Sequence, residues 1–173
     1  MTLQAISAAL TIPVMQDFVN GHAWVWPVCE MIHYVGMSLL IGLIGALDLR
    51  ILGLFKSLPI GSLKPFVPLA VIGFIGNLLT GIIFVTGTSS GAEFYVENLS
   101  FQLKLVMLLL AFVNLIIFQV TGLEKAVYDV PANGDAPKAA KVIAVVSIVA
   151  WLFTIVFGRL LMYNDTLLLF LGL

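Results

Sequence analysis

Residues 27–47 read PVCEMIHYVGMSLLIGLIGAL. At 1.5 Å per residue, about 20 apolar residues cross a hydrocarbon layer roughly 30 Å thick. Backbone groups in lipid have no water to bond, so such a run must be a helix. Glu30 and His33 interrupt it, three residues apart. An ionisable group at the centre of a span costs about 2.5–3.5 kcal/mol on insertion scales. Each one therefore needs a physical reason.

Working outward, similar runs predict spans at about 27–47, 66–87, 101–121 and 142–163. Composition supports them. The chain has 173 residues, 61% hydrophobic and 10% charged, against about 45–50% and about 25% in ordinary globular domains. A core of this size cannot hide that excess. The expected fold is all-α: an integral membrane four-helix bundle forming one domain over residues 1–173. The connectors are short and rich in Pro, Gly, Asn and Ser, which marks turns. No basic block suggests nucleic acid, and the net charge is −1. Cys29 is the single cysteine, which excludes an intramolecular disulfide and any multi-cysteine metal site.

The N-terminal stretch LQAISAALTIPVMQDFV (3–19) reads as a short interfacial helix. It lacks a positive start and a small-residue cleavage site, so it is expected to be retained. The tail TLLLFLGL (166–173) is too short to span and is expected in the interface or on a neighbour. Arg50, Lys56 and Lys64 lie in the first connector, and Lys125, Lys138 and Lys141 in or beside the third. The positive-inside rule then places both connectors in the cytoplasm and both termini outside. In a bacterial inner membrane the termini would be periplasmic.

This orientation puts several polar groups in the outer half of the bundle: Glu30 and His33 on helix 1, Lys104 on helix 3, and Arg159 with Tyr163 on helix 4. Asn77 and Asn114 fall near mid-span. Glu30, Tyr34, Ser38, Gly42 and Ala46 repeat every four residues, and small residues at that spacing allow close helix approach. That stripe is expected to face inward, against Gly73, Asn77 and Gly81 of helix 2. The cluster has two readings. Glu30 can be a structural partner of Lys104 or Arg159, with lysine and arginine snorkelling outward. Alternatively the groups surround a ligand.

Three chemistries suit a ligand. Haem or quinone redox chemistry fits a bundle that buries a flat cofactor, with His33 as axial ligand and Lys104 and Arg159 as anion holders. His22 is eleven residues from His33, roughly 16 Å along a continuous helix, too far to share one iron. Copper is the second: Cys29, His33 and Met37, spaced by four, offer thiolate, imidazole and thioether. The third is a small anion, proton transport, or a non-catalytic role as subunit of a larger membrane complex. Asp48 and Arg50 are expected to form a cap or pair at the inner end of helix 1.

Several motifs carry a resemblance: E-x-x-H-Y-x-G at 30–36, DLRILG at 48–53, Y-x-x-N-x-x-F-x-x-K at 95–104, N-x-x-x-F-Q at 114–119 and GRLLMY at 158–163. Together they resemble a bacterial family of small four-helix membrane proteins of unknown function. More loosely, the layout is similar to copper-resistance CopD-type and cytochrome b561-like membrane domains. The resemblance spans Trp26 to Tyr163 and implies haem b or copper. It marks Glu30, His33, Asp48, Arg50, Asn98, Lys104, Asn114, Arg159 and Tyr163. Relatives often have histidine where this chain has Gln119, so bis-histidine haem is weakened here. The expectation is a lipid-embedded protein, homo-oligomeric or bound to a membrane partner. It would bind a cofactor or small molecule in an outer polar pocket.

Overall fold

A computed structural model describes residues 2–172, and these contain helices and no strands. Four segments are long and apolar enough to cross a membrane: Val25–Leu52, Ile60–Gly87, Leu99–Val120 and Lys138–Leu171. They fit a multi-pass membrane protein. The all-α bundle is therefore as expected, with each expected span inside or within a few residues of an observed one.

The first spanning helix is preceded by two short ones, α1 (Leu3–Leu10) and α2 (Pro13–Gly21). The expected single interfacial helix is broken because Pro13 has no backbone N–H to continue α1, while it suits the first turn of α2. The spans are α3 (Val25–Leu52), α4 (Val67–Gly87, entered through a 3-10 helix at Ile60–Phe66), α6 (Leu99–Val120) and α8 (Lys138–Leu160). Short helices α5 (Glu93–Val96) and α7 (Leu123–Tyr128) lie in the connectors. The tail is α9 (Asn164–Leu171), which continues from α8 through a 3-10 turn and packs on α6.

α3 packs along α4, α6 packs along α8, and α3 also touches α8. α4 and α6 lack a comparable contact. The bundle is thus open along one seam.

The inward face of α3 differs from the expected one. Cys29, Gly36, Leu40, Leu47, Asp48 and Ile51 are buried, whereas Glu30, Tyr34, Ser38, Gly42 and Ala46 are exposed. Cys29, Gly36, Leu40, Leu47 and Ile51 step by seven and four residues, the seam of a nearly parallel helix pair. A strict four-residue stripe drifts off that seam. Helix 2 does present Gly73 and Asn77 to α3. A Cβ on Gly36 would meet the Gly73 carbonyl at 2.6 Å and Asn77 Nδ2 at 3.0 Å. Glycine is required where the two backbones cross.

At the connector end, Arg50 is 1% exposed. It donates to the carbonyls of Leu58 (2.6 Å), Lys56, Pro131 and Gly134 (each 3.3 Å). It ties the first connector to the third. The expected Asp48–Arg50 pair does not form among the described residues. Two positions apart on a helix, their side chains leave on nearly opposite faces. Lys56 and Lys141 instead hold Asp135, at 3.0 and 3.2 Å.

At the other end, α2 covers α4. Gln16 donates to the Thr88 carbonyl at 2.8 Å, and Val19 Cγ2 would lie 2.7 Å from a Cβ on Gly87. Ser100 N–H donates to Asn164 Oδ1 at 3.3 Å, and Asn98 Nδ2 to the Leu161 carbonyl at 2.9 Å. These bonds fix the starts of α6 and α9 together.

Candidate functional site

The open seam leads to a cavity of about 280 Å³ in the half of the bundle nearer the termini. Its walls are mostly apolar. His33 and Met37 from α3, Asn77 from α4 and Lys104 from α6 supply its distinctive polar or soft groups. Leu10, at the end of α1, closes part of it. No Asp or Glu lines it among the described residues.

His33 is held against α4 by Thr80. Its Nδ1 is 2.8 Å from Thr80 Oγ1. The Thr80 hydroxyl has one proton, and the carbonyls of its own helix, Gly76 at 2.8 Å and Asn77 at 3.2 Å, lie within its reach. When that proton goes to its own helix, Nδ1–H donates to Thr80 Oγ1, and the neutral ring then keeps a lone pair on Nε2. The face of Phe84 lies against the imidazole, with ring centroids 5.5 Å apart.

Lys104 makes no ion pair among the described residues. Its ammonium approaches α8 at Gly158, where a Cβ would lie 3.6 Å from Nζ. Asn77 Nδ2 donates to the Gly73 carbonyl at 3.1 Å, and its Oδ1 is buried without a partner. The cavity thus offers a lysine amine, an imidazole nitrogen and an amide acceptor. Thr86 and Thr154 also line it, but their hydroxyls are committed to Ile82 and Ala150 carbonyls.

The remaining expected residues lie elsewhere. Glu30 is exposed and accepts from Trp26 Nε1 at 3.0 Å. It also faces Tyr95, where burial and the Glu30 carboxylate push the phenol above its ordinary range. Arg159 is exposed and stacks over Tyr163 at 5.5 Å. Neither lines the cavity. Cys29 packs with Val19 and Val25 beneath α2, so it is outside the cavity that His33 and Met37 share. Asn114 donates to the Ile143 carbonyl at 3.0 Å and lines a second cavity toward the connector end. No group of three or more His, Cys, Asp or Glu side chains suited to a metal occurs among the described residues.

A bis-ligated haem does not suit this lining. His33 is the one histidine there, and Met37 is one turn along the same helix, so it cannot reach the opposite face of an iron. The bundle fits a helical multi-pass membrane protein with a mostly apolar internal cavity that carries a few polar groups. No family model, curated protein or solved structure matches the chain.

Sequence reasoning overlooked Thr80, Trp151 and Leu10. Thr80 was within reach: it follows Asn77 by three residues and so shares its helix face.

Proposed function

We propose that the cavity between His33 and Lys104 binds a small amphipathic molecule with carbonyl or hydroxyl oxygens, of the quinone class. The observation that carries this reading is a lysine with no ion pair among the described residues and a Thr80-anchored imidazole in one apolar cavity without a carboxylate. An apolar pocket with a few convergent polar groups is the usual form of a small-molecule site. Quinones supply two-electron, two-proton redox chemistry when bound. In this chain, Lys104 Nζ donates to a carbonyl oxygen and stabilises negative charge there. His33 Nε2 accepts a proton from a hydroxyl, while Thr80 holds the ring and its tautomer. Asn77 Oδ1 accepts a further hydrogen bond. The apolar walls and Leu10 exclude water, which strengthens each of these interactions. The open α4–α6 seam gives a lipid-soluble molecule lateral access from the bilayer.

The surrounding assignments follow from the same frame. Arg50, Lys56, Lys64, Lys125, Lys138 and Lys141 gather at the connector end, which favours a cytoplasmic position for it and periplasmic termini in an inner membrane. The exposed small-residue stripe at Ser38, Gly42 and Ala46 suits a homo-oligomer contact. Native mass measurement from mild detergent tests both parts. It should detect an oligomer and a retained lipid-soluble quinone, with the quinone lost from Lys104→Met protein. Equal quinone retention by wild type and variant would overturn the assignment of the cavity.

A further inference from the structure

The second cavity, about 290 Å³, lies toward the connector end. Leu40, Phe74, Leu108 and Trp151 line both cavities and form the partition between them. The two differ in charge. The second is lined by Asp48 and Glu124 and by no Lys, Arg or His. Asp48 is 5% exposed, and its Oδ2 is buried with no hydrogen-bond partner. A carboxylate buried there takes up a proton or pairs with a cation, because an ionised one left alone is strongly unfavourable.

We propose that this cavity is a binding site for a small organic ammonium with an apolar body, paired with Asp48. Three observations specify the class. The walls are largely apolar, with aromatic rings from Phe74, Phe112, Phe118, Tyr128 and Trp151. Aromatic faces attract ammonium groups. A hard inorganic cation would need six or more oxygen ligands if calcium, or near-ideal octahedral oxygens if magnesium. No group of three or more His, Cys, Asp or Glu side chains converges among the described residues, so no such oxygen shell is assembled here. Finally, α4 and α6 leave the seam open, so an apolar cation can enter from the bilayer. Ser147, also buried in the lining, can share the carboxylate's remaining bonds.

The test uses the full chain in lipid nanodiscs and 1-adamantylamine as probe, read by calorimetry against empty nanodiscs. Saturable binding is expected, weakened roughly 30-fold or more in Asp48→Asn, as for loss of one partner of a buried charge pair. Val71→Trp provides a second variant. Val71 lines the cavity yet is 49% exposed at the seam, so the larger side chain obstructs access without entering the core. It should also abolish binding. Neutral 1-adamantanol should compete poorly. The idea is overturned if the amine shows only lipid partition, if both variants bind as wild type does, or if adamantanol or potassium chloride displaces it equally well. Amine binding is read independently of quinone retention, so the two proposals fail separately.

Discussion

His33 Nδ1 lies 2.8 Å from Thr80 Oγ1 across the α3–α4 interface, and Thr80 Oγ1 lies 2.8 Å from the Gly76 carbonyl. With the Thr80 proton on the Gly76 carbonyl, the imidazole is the Nδ1–H tautomer, which is the state the account predicts. Nitrogen-15 NMR of labelled histidine should show that state for His33, with His22 assigned by His22→Ala. Thr80→Val should shift the ring toward the commoner Nε2–H form and weaken ligand binding about tenfold, the loss of one net hydrogen bond. An unchanged spectrum in Thr80→Val would remove the tautomer argument.

Arg50 holds two connectors through four carbonyls while 1% exposed. Arg50→Met would leave those carbonyls without their donor. The expected loss is about 3–5 kcal/mol, the scale of breaking a buried charged network. Denaturant-induced unfolding in mixed micelles measures it, and Arg50→Lys should recover only part because one ammonium cannot match the guanidinium fork.

Gly36 and Gly73 cross at backbone contact. Gly36→Ala should cost about 1–3 kcal/mol by overpacking and push the Asn77 amide out of place. Gly42→Ala is the matching control, since nothing lies within 4 Å of its added Cβ. A monomer-stability assay in micelles should separate the two; equal effects would contradict the crossing.

Asp135 is fully exposed between Lys56 and Lys141. The Lys56 hydrogen bond, then that of Lys141, holds its carboxyl below the ordinary value of 3.8. A depressed folded-state value stabilises fully above the ordinary value and fades as pH falls through the lowered one. Asp135→Asn should therefore lower the melting temperature slightly at neutral pH. That difference should close on acidification below about pH 4 and shrink in high salt.

How much of this was legible differs from residue to residue. The spans were readable because lipid leaves a long apolar run no alternative to helix. Helix rise converts residue number into depth across the bilayer, which set His33 and Lys104 at one level together with Glu30 and Arg159, two groups the cavity does not include. Rotation about each helix axis was harder. Glu30 faces outward because the α3–α4 seam steps through Cys29, Gly36 and Leu40, and an amphipathic pattern is nearly absent in a helix that is apolar all round. Asp48 was read as a cap because it sits near a helix end. Its burial in a cavity depends on α6 and α8 arriving from distant sequence, which no local pattern encodes.

The central claim is that His33 and Lys104 bind one molecule between them. Trp151 lines that cavity, so its fluorescence reports occupancy. A protein with Trp24→Phe and Trp26→Phe, reconstituted in nanodiscs, would be titrated with a short-chain benzoquinone. The account predicts saturable quenching of Trp151, weakened roughly 10- to 100-fold in Lys104→Met, as expected for one charge-assisted hydrogen bond. Linear quenching identical in wild type and Lys104→Met would contradict it.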